Sequence, residues 1–479
     1  MTAPKTEFSG HELSAKSGVE VVSLLKKGEV SPKDLIGICE KRLSVVEPTV
    51  NACPVVCKDR AISAIEKRDN QDLKSACLAG IPNNIKDLSG VSDVRSTWGT
   101  KALADFVPDQ SDPIVTHLED HGGVVLAKTN TPEFGAGANT FNAVFGATLN
   151  PWNTSRNAAG SSGGAAVSLA TGTFWFAHGS DHAGSLRTPA AYCGVVGMRP
   201  SPGLVPSGGA PNFSRTGVQG PMARSVEDVA YFLDAMTGFD ASSPISFPPP
   251  EEPFERTTKH DQGPWKIAYS PTLNGYGPVE NNIRAVLDAA MTSAEKNGAT
   301  VEVACPDLSH LETTYRVLRG LMWVNALGKA PASMSNLFKD TLKENIAFGR
   351  ALSIDDISKA SENRSALFAE MVRFLSTYDV LATTVVGCAP KAIEIEYPTE
   401  VAGEPMDDYI SWLKFAFLST ATGLPSISVP VGFTEDGLPV GIQLIGAHRG
   451  EAKLLQIASF IEKSAGFPIG PIDPIIKSS

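Results

Sequence analysis

Cysteine is scarce. Seven cysteines stand at positions 39, 53, 57, 77, 193, 305 and 388. The count is odd and the density far below that of a disulfide scaffold, so a stapled fold is excluded. Cys53 and Cys57 are the nearest pair, and no second Cys or His pair at ligand spacing accompanies them, so no metal site is expected. Long Lys/Arg runs are absent and the net charge is −11, which argues against nucleic acid as the main partner. No apolar run reaches the roughly 18 residues a membrane span needs. Met1 to Gly10 is polar and carries no apolar signal segment. Internal repeats are absent, and the only biased segment is Pro248-Pro249-Pro250-Glu251-Glu252-Pro253. Reduced cysteines and the missing signal fit a cytoplasmic enzyme.

What is present is a large core. The 479 residues are 42% hydrophobic and 19% charged, a globular composition. Length alone suggests two or three domains or one large α/β unit. Helical patterns over His11–Lys27, Ser31–Val46, Asp59–Arg68, Asp112–His121, Ser225–Thr237, Val279–Asn297 and Glu451–Lys463 alternate with strand patterns. The strand patterns fall at Asn51–Val56, Val124–Ala127, Val195–Met198, Trp265–Tyr269, Ala299–Ala304, Val380–Val386, Ser426–Val431 and Val440–Ile445. Leu308 to Leu375 reads as helix throughout. The expected fold is α/β: a central mixed, twisted sheet with helices on both faces and an added, mostly helical layer.

The chain is organised around Ala159 to Ala190. Two small-residue loops, Ala159-Gly160-Ser161-Ser162-Gly163-Gly164 and Gly179-Ser180-Asp181-His182-Ala183-Gly184-Ser185, flank a helix over Ala165–Ala170 and a strand over Thr173–Ala177. A helix returning to a strand brings both serine loops to one end of the structure. A serine hydroxyl is a weak nucleophile and needs a base. The G-x-S-x-G elbow is absent around Ser185, and His182, three residues before it, points poorly at the hydroxyl; it reads as a loop histidine lining the site. Lysine serves as a base only when burial lowers its pKa. Lys86, after Ile85 in a low-charge stretch, fits that need.

These segments resemble the amidase signature family, serine hydrolases with a Ser–cis-Ser–Lys triad. The matching residues are Lys86 in Gly80-Ile81-Pro82-Asn83-Asn84-Ile85-Lys86-Asp87, Ser161 and Ser162 in the first serine loop, and Ser185 in the second. Lys128 to Phe134, Asn150 to Asn153, Gly197 to Ser201 and Gly423 to Gly432 are similar to further family segments, so the resemblance spans roughly residues 10 to 465. It implies Ser185 as nucleophile, Ser161 after a cis peptide as proton relay, and Lys86 as base. It implies an oxyanion hole from the backbone amides of His182, Ala183, Gly184 and Ser185. Gly160, Ser162, Asp181 and Arg187 would support these, and Phe134, Gly137 and Asn139 would touch substrate. Ala183 stands where the family more often has glycine.

The resemblance implies one amidase domain over 1–479, with a core over about 10–305 and 376–465 and a helical substrate-side layer over about 306–375. It implies no cofactor, an amide substrate with water as co-substrate, and allows a homodimer. Substrate choice would rest on Phe134–Phe145, Val205–Val218 and the layer from His310 to Tyr409, whose apolar residues include Leu318, Leu321, Met322, Trp323, Phe348 and Trp412. The reading is an amidohydrolase for aryl or alkyl amides or carbamates. The alternative is the glutaminase subunit of a tRNA-dependent amidotransferase, but Pro202 to Gly209 does not resemble that subunit's segment.

Overall fold

The computed structural model describes residues 4–477, except 69, 208–212, 214–215 and 261–262. Eleven strands form one sheet: β1 Val55–Val56, β2 Pro82–Lys86, β3 Val124–Thr129, β4 Phe176–Asp181, β5 Val196–Arg199, β6 Val218–Ala223, β7 Lys266–Tyr269, β8 Thr300–Val303, β9 Val380–Thr384, β10 Ser426–Phe433 and β11 Pro439–Ile445. Their order is β1-β3-β2-β4-β6-β5-β10-β11-β9-β7-β8. β2 runs parallel to β3 and β4, and β7 runs parallel to β8 and β9. The remaining pairs are antiparallel, so the sheet is mixed.

The central strands are rich in apolar and small residues because both faces of the sheet are covered. β3, β9 and β11 are buried along their whole length. Three helices matter for the site: α1 Gly163–Ala170, α2 Arg187–Cys193 and α3 Leu311–Leu327. α1 and α2 are buried at every position; α1 is built largely of glycine and alanine, whereas α2 also buries Arg187 and Tyr192. The segment after α3 continues as α4 Asp340–Ala351 and α5 Ile354–Phe374 and contributes no strand to the sheet. β8 before this helical stretch and β9 after it belong to the same sheet. Among the described residues no helix is long and apolar enough to cross a membrane.

Local differences from the sequence patterns have physical causes. The His11–Lys27 pattern is two helices, Glu12–Ala15 and Gly18–Lys27, because Ser17 caps the second with a capping box and breaks the first. The helix from Pro32 runs on to Val50, carrying Pro48 inside it. The aromatic run at Thr173–Ala177 enters the sheet only at Phe176, and the strand continues to Asp181 through His178-Gly179-Ser180. β6 was obscured in the sequence by its Gly220-Pro221, yet it pairs with β4 from Val218↔Asp181 to Ala223↔Phe176.

Candidate active site

Because β2 and β4 are parallel neighbours, their carboxyl ends lie at one edge of the sheet. Lys86 closes β2, and Ser180-Asp181 closes β4. α1 follows the first serine loop, and Gly164 at its start lies against backbone: a Cβ there would sit 2.4 Å from the Ala52 carbonyl and 2.5 Å from the Asn130 nitrogen. Ser162 N–H donates to the Ser185 carbonyl at 3.1 Å, which ties the two serine loops together. The peptide between Gly160 and Ser161 is cis.

The Lys86 side chain is fully buried. Its Nζ lies 2.7 Å from Ser161 Oγ, 2.8 Å from Ser162 Oγ and 3.0 Å from Ser180 Oγ. Three hydroxyls therefore surround one amine. Ser162 Oγ donates to the Ser180 carbonyl (3.3 Å) and accepts from the Ser180 N–H (3.3 Å), so its own proton is committed there. Burial pulls the Lys86 amine down to about 7, against the opposing pull of Asp181. Below Lys86, His178 Nδ1 accepts from the Lys86 N–H (3.3 Å), and Nε2 faces Gln219 Oε1 (3.0 Å). Burial drops His178 to about 3, so this ring is neutral.

Asp181 is the buried anion of the second loop. Its carboxylate takes Arg187 Nη2 at 2.8 Å and Nε at 3.0 Å, Arg199 Nη1 at 3.4 Å, and the amides of Gly184 and Leu186 at 3.1 Å each. Burial alone would raise its pKa; the two arginines and these donors outweigh that and hold it below the usual carboxylate range. The Gly184 amide is thus engaged. The amides of His182, Ala183 and Ser185 carry no hydrogen bond among the described residues.

A cavity of about 290 Å³ opens over this edge. Ser161, Ser180, His182, Ala183 and Ser185 are among its lining residues, as are Phe134, Gly137, Met322, Trp323, Leu413 and Arg319. Phe134 and Gly137 are therefore at the site. Asn139 is not: its Nδ2 donates to the carbonyls of Ile395 (3.3 Å) and Glu396 (2.7 Å), which makes it a strap behind the wall. In the helical layer, Met322 and Trp323 reach the cavity, whereas Phe348 is exposed on α4 and Trp412 lies in the core beside the lining residue Leu413. Within Val205–Val218, residues 208–212, 214 and 215 lie outside the described residues; Ser207, Gly217 and Val218 line the cavity.

Sequence reasoning missed Ser180, Tyr315 and Arg319. Ser180 was in plain view, since alternation along β4 puts it on one face with His178. Arg319 had no local signal, because its environment comes from α4 and from Tyr409, far away in sequence.

The amidase family model matches residues 34–455. An acylamidase of Rhodococcus erythropolis is 32% identical over 95% of this chain and 96% of its own length. A glutamyl-tRNA(Gln) amidotransferase subunit of Halothermothrix orenii is 31% identical over 93% of this chain and 96% of its own. A solved bacterial aryl acylamidase of the amidase signature family superposes with a TM-score of 0.85 at 27% identity, covering 94% of this chain and 96% of that one. The chain therefore belongs to the amidase signature family, and it is a hydrolase of carbon–nitrogen bonds other than peptide bonds.

Proposed function

We propose that the chain hydrolyses small or medium amides with an aryl or alkyl acyl group, through an acyl-enzyme on Ser185. The observation that carries this is the Lys86 amine, buried, drawn down to about 7 and 2.7 Å from Ser161 Oγ, with Ser161 and Ser185 in one cavity wall. Neutral Lys86 takes the Ser161 proton, and Ser161 takes that of Ser185. Ser185 Oγ attacks the carbonyl carbon, and the oxyanion forms against the amides of His182, Ala183 and Ser185, with Gly184 shaping the turn. Each such donor contributes about 3 kcal/mol to the transition state. The proton returns through Ser161 to the leaving nitrogen, the C–N bond breaks, and water releases the acyl group by the reverse relay.

Gly160, Ser162, Asp181 and Arg187 act as supports. The helical layer over about 306–375 is the substrate-side wall, since α3 supplies Met322 and Trp323 to the cavity. The mainly apolar remainder of that wall favours an amidohydrolase acting alone over a glutaminase subunit. Chains similar to this one carry both names, so sequence likeness does not choose between the two.

The test is a panel of anilide, primary amide, aryl carbamate and glutamine, run on wild type, Ser185→Ala, Lys86→Ala and His182→Ala. The expected result is anilide turnover, abolished in the first two variants, with His182→Ala still turning over. Activity confined to glutamine, together with co-purifying partner chains and tRNA, would point to the amidotransferase role instead. A dead His182→Ala beside a working Lys86→Ala would overturn the lysine relay.

A further inference from the structure

The cavity holds a second chemical feature that acyl transfer does not use. Arg319, on α3, is 4% exposed and lines the cavity wall. Its neighbours are neutral. Nε donates to Asn345 Oδ1 at 3.0 Å, Nη1 to the Tyr315 hydroxyl at 3.4 Å, and Nη2 to the Tyr409 hydroxyl. The guanidinium also lies over the rings of Trp323 (5.6 Å) and Tyr409 (5.4 Å). Burial raises both phenols, so neither is a phenolate at neutral pH.

The surrounding cations differ. Arg316, about one helical turn earlier on α3, pairs with Glu312 and Asp408. Lys339 pairs with Glu396 at 3.0 Å. Arg187 and Arg199 share Asp181. Among the described residues no carboxylate pairs with Arg319. A guanidinium carries five N–H donors and is always charged; three contacts leave two donors over.

The groups around it point to one kind of ligand. The Tyr315 hydroxyl accepts from Arg319 and lies 3.4 Å from His182 Nδ1. His182 Nε2 and Trp323 Nε1 are both buried and without a hydrogen-bond partner. Both residues line the same cavity as Arg319. The wall thus holds one cation without a carboxylate partner and the ring of Trp323, whose N–H is unsatisfied, among lining residues that include the apolar Met322, Ala326 and Leu413. A ligand complementary to such a wall accepts hydrogen bonds, offers none, and carries negative charge. A carboxylate has that chemistry, and it matches the planar fork of a guanidinium.

We infer that this enzyme is selective for amides bearing a carboxylate, which Arg319 receives beside Trp323 while the scissile carbonyl lies at Ser185. The inference rests on the hydrolase reading above and narrows it: the apolar wall holds the body of the substrate and Arg319 holds its charged end. Arg319 is a specificity-determining residue and does not touch the reacting atoms.

Two matched pairs of substrates test this and locate the carboxylate. On the acyl side, glutaryl 4-nitroanilide is compared with pentanoyl 4-nitroanilide. On the amine side, N-butyryl-4-aminobenzoate is compared with N-butyryl-4-toluidine. The expected result is a kcat/KM at least tenfold higher for the acid in one pair. Arg319→Gln should lower that acid-to-neutral ratio at least tenfold, through KM, and Arg319→Lys should restore part of it. A wild type that prefers the neutral member of both pairs overturns the inference. So does an Arg319→Gln variant that slows acid and neutral substrates alike, as a merely structural arginine would. If neither arginine variant folds, the wild-type ratios alone decide. If no substrate is turned over, the hydrolase reading has failed, and calorimetric binding of glutaryl and pentanoyl anilide to Ser185→Ala still decides the role of Arg319.

Discussion

Asp181 and Arg187 meet in a two-pronged pair, Nη2 to Oδ1 at 2.8 Å and Nε to Oδ2 at 3.0 Å, with neither side chain reaching solvent. The same carboxylate faces Arg199 and anchors the amides of Gly184 and Leu186 on either side of the Ser185 loop. One anion therefore offsets two buried cations and fixes the turn that presents the nucleophile. Asp181→Asn keeps the shape and removes the charge. Removing one partner of a buried ion pair typically costs about 3–5 kcal/mol. The expected outcome is a loss of that size in urea unfolding, together with loss of turnover. A stability change under about 1 kcal/mol would mean that the arginines find other partners.

Gly184 is the second point at which that turn is fixed. Its φ is +86°, and an added Cβ would lie 2.8 Å from Thr188 Oγ1 and 3.1 Å from Ala416 Cβ. A left-handed alanine costs about 1–2 kcal/mol before any crowding, so Gly184→Ala must displace the loop. Misplacement of catalytic groups by about 1 Å can cost about 10²-fold. Gly184→Ala is expected to keep its fold by circular dichroism and to lose ten- to a hundredfold in kcat, with a smaller effect on KM. An unchanged kcat would show that the loop amides contribute nothing to the rate.

How much of this was legible in the sequence follows from where each constraint is stored. The mixed α/β sheet was readable because buried strands such as Val124–Thr129 and Ser426–Phe433 are mostly apolar. Ser161 and Ser185 were readable because the loops that carry them are built of small residues, and Lys86 because it stands in a low-charge stretch in register with both. β6 was not, since Gly220 and Pro221 erase the strand signature while the ladder to β4 enforces it. Asn139 reads as a pocket residue by position, yet its amide is claimed by the carbonyls of Ile395 and Glu396, a contact between segments far apart in the chain. Arg319 is the same kind of case: its isolation from carboxylates is a property of three dimensions.

Activity should follow the protonation of Lys86. Its amine is the base only when neutral, and burial places its pKa at about 7. Below that value the neutral fraction falls tenfold for each pH unit, so kcat/KM is expected to rise with slope one up to about pH 7 and then level off. A neutral anilide is the right substrate, because a carboxylate substrate adds its own charge to the profile. A profile that is flat from pH 5 to 8 would show that no group with the Lys86 pKa governs the step.

The same burial has a consequence for stability, measurable without any substrate. Lys86 titrates at about 7 when folded and near 10.5, the ordinary value, when unfolded. Between those values the unfolded chain holds a proton that the folded chain does not. Stability therefore rises with pH across this window, by about 1.4 kcal/mol per unit for a single group. Other titrating groups, such as the buried cysteines and tyrosines, contribute slopes of their own, so wild type alone is not informative. Lys86→Met keeps much of the side-chain volume and removes the titration. The difference in unfolding free energy, wild type minus Lys86→Met, is expected to climb by about 2–3 kcal/mol from pH 7 to pH 9 in urea titrations. A difference that stays constant over that range would mean the lysine keeps its proton in the folded state, and a relay that begins with a neutral Lys86 amine would lose its base.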